Sequence, residues 1–150
     1  MPLLKRLGRV TQLNGVADLL INEDGATRDY QLQQGDSGKV FFVEQDGSSG
    51  VIRIYLPMAV DAGAGWHINI IVRAVSSEEV NVYNHANDDD NVHGFVYHGD
   101  GGDGESTNGT VEGAVTLDGA TQIGDRVEIF CDGTIFYFYA WSARDGAMTF

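Results

Sequence analysis

The stretch GDRVEIFCDGTIFYFYAW, residues 124–141, contains two strand patterns joined by a turn signal. From 126 to 131, apolar residues alternate with mostly polar ones, which is the period of two expected of a half-buried strand. Asp132 and Gly133 follow, and an Asp-Gly pair favours the positive φ values of a two-residue type I′ turn. Residues 135–141 then return as a second strand. The sequence therefore predicts a β-hairpin.

The return strand of this hairpin is apolar on both of its faces. Its residues are Phe136, Phe138 and Ala140 on one face and Ile135, Tyr137, Tyr139 and Trp141 on the other. A monomer rarely leaves a contiguous aromatic surface in water. We expect both faces to be covered, either by a second sheet of the same chain or by another chain, and the pattern leaves both alternatives open.

Similar strand patterns recur along the chain at intervals of about ten residues, with Asp-Gly, Asn-Gly and Ser-Gly pairs between them. Regular short strands without an amphipathic helix are typical of two packed sheets or a barrel. We predict an all-β fold, an antiparallel β-sandwich or jelly-roll-like barrel in a single domain of residues 13–150, without an internal repeat of fixed period. The predicted strands are 16–21, 28–32, 38–43, 51–56, 66–72, 80–83, 94–97, 114–117, 126–131, 135–141 and 148–150.

The first residues carry positive charge on an otherwise acidic chain. The net charge of the 150-residue chain is −13 at pH 7, yet its first ten positions hold three basic residues and no acid. We predict an extended N-terminal arm, residues 1–12, that docks on a larger surface; a frayed terminus is the alternative. The predicted contact residues of the arm are Leu3, Leu4, Lys5, Arg6, Leu7 and Arg9.

Composition also bears on partners and location. An acidic chain lacks the clustered Lys and Arg that phosphate contacts need, so we predict no nucleic-acid partner. No apolar run has the length of a secretory signal or of a membrane span of about 20 residues, so we predict no membrane partner. Cys131 is the single cysteine. We expect it to be a buried free thiol that packs as a small apolar side chain.

Two polar loops, residues 84–92 and 98–110, interrupt the regular strands. Their carboxylates are oxygen ligands of the kind that calcium takes, but their spacing matches neither an EF-hand nor the Gly-Gly-x-Gly-x-Asp repeat. Their histidines lack a further ligand at zinc spacing. We predict no metal and no cofactor, with calcium in these loops as the alternative and a histidine ring on a trimer axis left open. The residues concerned are Asp88, Asp89, Asp90, Asp100, Asp103 and Glu105, with His85, His93 and His98.

Known catalytic motifs are missing from the sequence. It has no Gly-x-Ser-x-Gly elbow, no His-Glu-x-x-His, no P-loop and no dinucleotide fingerprint. Glu78 and Glu79 are a carboxylate pair of the type that glycosidases use, but in a chain with 22 acidic residues such a pair is expected by chance. We therefore predict that the protein is not an enzyme, and a hydrolase is the least supported alternative.

Four segments, taken in order, resemble a pattern in virion proteins of tailed bacteriophages, especially capsid decoration (cement) proteins and the β-rich modules of tail fibres. The segments are DYQLQQGDSGKVFFV (29–43), a strand that ends in Leu56-Pro57, DAGAGWHINIIV (61–72) and LDGATQIGDRVEIFCDGTIFYFYAWS (117–142). The core motifs are Asp36-Ser37-Gly38-Lys39, Leu56-Pro57, and Gly124-Asp125-Arg126-Val127-Glu128 followed by Asp132-Gly133-Thr134. The residues after the last motif are more apolar here than in those proteins, which favours a buried role for this hairpin.

This resemblance implies a structural protein of the virion, made in the host cytoplasm and bound as a homotrimer to the outer surface of the capsid. Its partners would be the major capsid protein, reached by the N-terminal arm, and other copies of itself. We place Phe136, Phe138 and Trp141 at or near the subunit interface. The alternative is a receptor-binding or carbohydrate-binding β module of a tail fibre or spike, for which we expect exposed aromatic residues in loops.

Overall fold

The computed structural model describes residues 11–13, 17–22, 26–45, 50–74, 78–85, 92–101, 105–108 and 115–150. These residues form an all-β fold with one short helix, α1 (Ala59–Ala62), and one 3-10 turn (Gln34–Asp36). In chain order the strands are β1 (Thr11–Leu13), β2 (Ala17–Asn22), β3 (Arg28–Gln31), β4 (Val40–Gln45), β5 (Ile52–Tyr55), β6 (Ala64–Ala74), β7 (Val80–Tyr83), β8 (Val92–His98), β9 (Glu105–Asn108), β10 (Val115–Leu117), β11 (Arg126–Asp132), β12 (Phe136–Ser142) and β13 (Met148–Thr149).

The predicted strands are all observed, with boundaries that differ by one or two residues. Two strands were not predicted, β1 and β9. β9 has the polar sequence ESTN and lies within the glycine-rich stretch that the sequence indicates as a loop. It forms one edge of its sheet and β1 forms the other, so each has a strand on one side only.

The strands form two sheets, and both are mixed. The larger sheet has eight strands in the order β1-β2-β4-β6-β11-β12-β8-β9, and the smaller has five in the order β13-β10-β7-β5-β3. The prediction of antiparallel sheets is wrong, because β2, β4 and β6 run parallel to one another, as do β3, β5 and β7, and β8 runs parallel to β12. The hairpin of β11 and β12 is antiparallel as predicted.

The parallel strands arise because the chain from β2 to β7 winds as a coil. Odd and even strands alternate between the smaller and the larger sheet, so each strand returns beside the one two places earlier and in the same direction. Parallel neighbours need a long crossover connection, and here a strand of the opposite sheet supplies it. Successive turns differ in length: Val40 is opposite Ala17 on one side and Asn69 on the other. The coil therefore leaves no fixed period in the sequence.

The inward side chains of both sheets form one hydrophobic cluster. The larger sheet contributes strands with strict alternation, such as β6 and β12, in which every second residue is buried. Trp66 of β6 packs edge-on against Phe136 of β12, with ring centroids 5.7 Å apart, and its indole Nε1 donates to the carbonyl of Gln33 at 3.2 Å. Cys131 is a buried free thiol, as predicted.

The motif Asp36-Ser37-Gly38-Lys39 forms the turn that enters β4. Lys39 Nζ lies 2.6 Å from Asp36 Oδ1 and 3.1 Å from Asp18 Oδ2 on β2. The pKa of Lys39 is raised, first by the hydrogen bond to Asp36 and also by Asp18, against the opposing effect of burial. Gly38 adopts φ 82°, a value that favours glycine, and its N–H donates to the carbonyl of His67 at 2.7 Å. The motif therefore ties β2, β4 and β6 together at one end of the larger sheet.

The turn between β11 and β12 lies one residue later than predicted. Asp132 is the last residue of β11, and its N–H donates to the carbonyl of Ile135 at 3.1 Å, which leaves Gly133 and Thr134 as the two loop residues. Gly133 has φ 98°. Glycine with positive φ at the first loop position is the requirement of a type II′ turn, whereas type I′ needs positive φ at both positions.

Candidate functional site: an aromatic face of the larger sheet

The two apolar faces of β12 have different environments. Phe136, Phe138 and Ala140 point into the hydrophobic cluster and are completely buried. The alternate residues, Tyr137, Tyr139 and Trp141, point outward and are only partly buried. The chain's own core therefore covers one face of the strand, and the other lies on the outer surface of the larger sheet.

The outward rings of β12 belong to a wider set that spans four adjacent strands. We call this set the aromatic face. It consists of His67 on β6, His93, Phe95 and Tyr97 on β8, Phe130 on β11, and Tyr137, Tyr139 and Trp141 on β12.

Strand register brings these rings into contact. Tyr139 is opposite Phe95 on β8, and their centroids are 5.1 Å apart in an edge-to-face arrangement. On the other side, Tyr139 lies 6.0 Å from Phe130, which in turn stacks on His67 at 6.2 Å. Edge-to-face and offset pairs at these separations are favourable, so the rings support one another. Tyr139 is the centre of a continuous row across four strands.

Several of these rings are well exposed. Tyr97 retains 57% of its accessible surface, Phe130 42% and Phe95 39%. An aromatic side chain presents about 200 Å² when free, so these three rings leave about 300 Å² in water. The largest apolar patch on a typical monomer is about 300–600 Å² and is often functional.

The charged groups on this side of the sheet are paired. The guanidinium carbon of Arg126 lies 4.6 Å from the ring centroid of Trp141, and Arg126 Nε is 3.8 Å from Glu128 Oε1. At the end of β6, Arg73 NH1 lies 3.0 Å from Glu44 Oε2 on β4. Cation and ring attract each other through the ring quadrupole, which holds the Arg126 side chain flat against the face.

Asp132 lies at the end of the aromatic face that is next to the hairpin turn. Its carboxylate accepts hydrogen bonds from the N–H of Thr134 and the N–H of Ile135, each at 2.8 Å, and from the hydroxyl of Tyr137 at 3.1 Å. These donors stabilise the charged form and lower the pKa of Asp132 to about 2. The same contact with Asp132 raises the pKa of Tyr137. The Tyr137 ring is thereby held at one edge of the aromatic face.

Two of the three residues predicted at a subunit interface lie on the opposite face of β12. Phe136 and Phe138 are completely buried in the chain's own core, so they have no surface left for a partner. The prediction assigned them to the subunit interface because a strand that is apolar on both faces needs a partner. Trp141 does lie on the outer surface, partly covered by Arg126. Phe95, Tyr97 and Phe130 were not predicted from the sequence as site residues.

The predicted arm residues, Leu3, Leu4, Lys5, Arg6, Leu7 and Arg9, lie outside the described residues. The described chain begins with β1, which pairs with β2 antiparallel from Thr11 opposite Leu19. The last residues of the predicted arm, Thr11 and Gln12, are therefore part of the larger sheet at its edge.

The loop residues considered for metal binding are described only in part. Asp88, Asp89, Asp90 and Asp103 lie outside the described residues, and the described ones contain no group of three or more His, Cys, Asp or Glu suited to a metal ion. His93 and His98 lie in different environments. His93 stacks on Tyr137 on the outer surface, with ring centroids 6.2 Å apart. The His98 ring is buried, and its Nδ1 lies 3.0 Å from the carbonyl oxygen of Arg144.

The polar cluster around Asp125 has a structural role. Asp125, a member of the motif that begins at Gly124, is buried and accepts the N–H of Ala143 at 2.9 Å and the hydroxyl of Ser142 at 3.2 Å. It also accepts the N–H of Gln122 at 2.8 Å. These bonds join the start of β11 to the end of β12 and satisfy a buried carboxylate.

Comparisons of the chain with protein-family models, with curated proteins and with solved structures gave no match. Within the described ranges, no helix has the length and apolar character that a membrane crossing needs.

Proposed function

We propose that this chain is a non-enzymatic structural protein of a tailed-phage virion, a decoration protein that binds the outer surface of the capsid as a homotrimer. The observation that carries the proposal is the aromatic face, a set of mutually packed rings displayed on a rigid sheet. Rings in such a position serve binding, because aromatic side chains dominate the energetics of protein interfaces. The sequence resemblance supplies the phage context.

In this proposal the two sheets form a β-sandwich around the shared hydrophobic cluster. The basic residues of the arm, Lys5, Arg6 and Arg9, contact the major capsid protein, and Leu3, Leu4 and Leu7 add apolar anchors. Three arms on one trimer bind with higher effective affinity than one arm alone, because attachment of the first raises the local concentration of the others. The acidic body faces outward, where like charge keeps particles apart.

The second candidate is a receptor-binding or carbohydrate-binding module of a tail fibre. Exposed rings at Tyr97, Phe130 and Phe95 favour it, since sugars stack on solvent-facing aromatic rings, but these rings lie in strands and not in loops as expected for such a module. Sugar recognition also needs polar groups free to bind hydroxyls. On this face the carboxylates of Asp132 and Glu128 are already engaged within the chain. The capsid proposal is therefore preferred.

The test is electron cryomicroscopy of heads from the phage that encodes the chain, with and without the gene. We expect threefold density on the outer capsid surface that disappears with the gene and returns when purified full-length chain is added. A chain that lacks residues 1–10 should leave the heads bare while remaining folded. Full occupancy by the truncated chain would contradict the role of the arm, and density on the tail instead of the head would favour the second candidate.

A further inference from the structure

The outward charges on the four strands of the aromatic face cancel, whereas the whole chain is strongly acidic. The charged residues at outward positions of its four strands are Arg73, Arg126, Glu128 and Asp132, two of each sign. The whole chain has a net charge of −13. Two such chains repel each other over most orientations, and they approach with least electrostatic cost when their neutral surfaces meet.

The charged groups at the centre and turn end of the face are engaged within the chain. Asp132 accepts from the turn and from Tyr137, and Arg126 lies between Glu128 and the Trp141 ring. A strongly charged partner would have to break these contacts in order to pair with them, and leaving one member unpaired is costly. A partner with the same neutral, ring-rich surface leaves them intact.

The size of the face also suits a protein partner. Three rings expose about 300 Å², and the partly buried rings around them extend the apolar area. A standard interface buries about 800 Å² on each partner, with an apolar centre and a polar rim. The aromatic face provides such a centre, and Asn69, Arg73 and Glu128 lie at outward positions around it.

We propose that a second copy of this chain docks on the aromatic face, with Phe95, Phe130 and Tyr139 at the centre of the contact. This inference deepens the proposed function, on which it rests for the setting, by giving the homo-oligomer its contact surface. This contact surface takes the place of the predicted interface residues Phe136 and Phe138, which are buried in the chain's own core. The contact is apolar, so it withstands salt that screens interactions between exposed charges.

The test compares two double variants by sedimentation velocity. Phe95→Lys with Phe130→Lys places two charges at the centre of the face. Val60→Lys with Ile123→Lys adds the same charge at two exposed apolar residues that lie in α1 and in the turn before β11, outside the four strands of the face. We expect the wild type and the second variant to sediment as the oligomer and the first to sediment as a single chain.

If the Phe95→Lys, Phe130→Lys variant does not fold, which circular dichroism would reveal, a milder variant provides the test. Tyr97 is the most exposed ring of the face, so Tyr97→Ser leaves the core untouched. We expect its dissociation constant for self-association to rise about fivefold or more, which corresponds to about 1 kcal/mol or more, because aromatic side chains at interfaces contribute strongly to binding. An unchanged dissociation constant would overturn the proposal.

Other outcomes separate this proposal from the proposed function. A wild-type chain that stays monomeric but decorates heads would overturn the docking of a second copy and leave decoration standing. An oligomer that ignores heads would do the reverse. Binding of the monomeric wild type to a glycan array through the same face, abolished by the two lysines, would assign the face to sugars instead.

Discussion

The inward and outward faces of β12 are both rich in aromatic residues but differ in what covers them. Inward, Phe136 and Phe138 are enclosed by both sheets, and Trp66 packs edge-on against Phe136. Outward, the described ring contacts of Tyr139 are with Phe95 and Phe130, which lie on its own sheet. The same strand therefore serves stability on one side and, in our proposal, recognition on the other. Substitutions on the two sides should act on different measurements.

The largest effect should come from the inward face. Phe138→Ala removes a completely buried ring and should lower the free energy of unfolding by about 3–5 kcal/mol, because the core cannot collapse fully around the cavity. Phe130→Ala makes the same chemical change on the outward side, where 42% of the ring is already in water, and should cost about 1 kcal/mol. Urea denaturation at a concentration where the chain is monomeric measures both. Equal losses would break the contrast between the two faces.

The close approach of β8 to β12 should give the next effect. A Cβ on Gly94 would collide with the backbone carbonyl oxygen of Phe138, which cannot move without disturbing the parallel pairing. Gly94→Ala should therefore lower the free energy of unfolding by about 1–3 kcal/mol.

Gly35→Ala is the matched control for this substitution. A Cβ at Gly35 meets open space, so the change should stay within about 0.5 kcal/mol. A Gly94→Ala protein as stable as this control would show that β8 and β12 are farther apart than the structure gives.

A smaller effect should come from the cation over Trp141. Arg126→Ala removes a guanidinium that stacks on the ring at 4.6 Å and also lies 3.8 Å from Glu128. It should cost about 0.5–1 kcal/mol more than Arg53→Ala, in which an arginine loses a carboxylate partner, Asp29, at the same 3.8 Å without a ring beneath it. Thermal or urea unfolding of the two variants measures this difference. If the two substitutions cost the same, the ring contributes nothing.

The smallest effect should be the pH dependence of the hairpin turn. Its hydrogen bonds lower the pKa of Asp132 from 3.8 to about 2, so the carboxylate stabilises the folded chain above pH 3.8, and this contribution disappears as the pH falls through about 2. The urea midpoints of wild type and Asp132→Asn should differ at pH 6 and converge toward pH 2. A difference that is constant over this range would contradict the assignment.

Much of the secondary structure followed from alternation, because a half-buried strand must place every second residue in the core. The order of the strands did not follow, since alternation identifies a strand but not its neighbour. The parallel coil of β2–β7 was missed because its turns have unequal lengths, as shown by the offsets of Val40 from Ala17 and from Asn69. β9 was missed because a polar edge strand resembles a loop.

An aromatic strand that needs a cover on both faces was predictable from the sequence, but which face of β12 points outward was not. The sequence indicated that β12 needs a cover on both faces and assigned Phe136 and Phe138 to the partner. The distinguishing signal was the hydroxyl of tyrosine: a face of Tyr137, Tyr139 and Trp141 has polar atoms that need water or a partner, whereas a phenylalanine face does not. Phe95 and Phe130 were not predicted because their place beside Tyr139 on the aromatic face depends on the order of the strands.

The most direct test of the central claim is the mass of the wild-type protein in solution, measured by light scattering at low and high salt. The chain has a mass of 16.2 kDa. If the aromatic face binds another copy, the protein should have the mass of more than one chain, two if the faces meet across a twofold axis and three if the proposed homotrimer forms, and high salt should not dissociate it. A mass of one chain at every concentration would contradict the claim, because no second copy of the chain would then cover the outward face of β12.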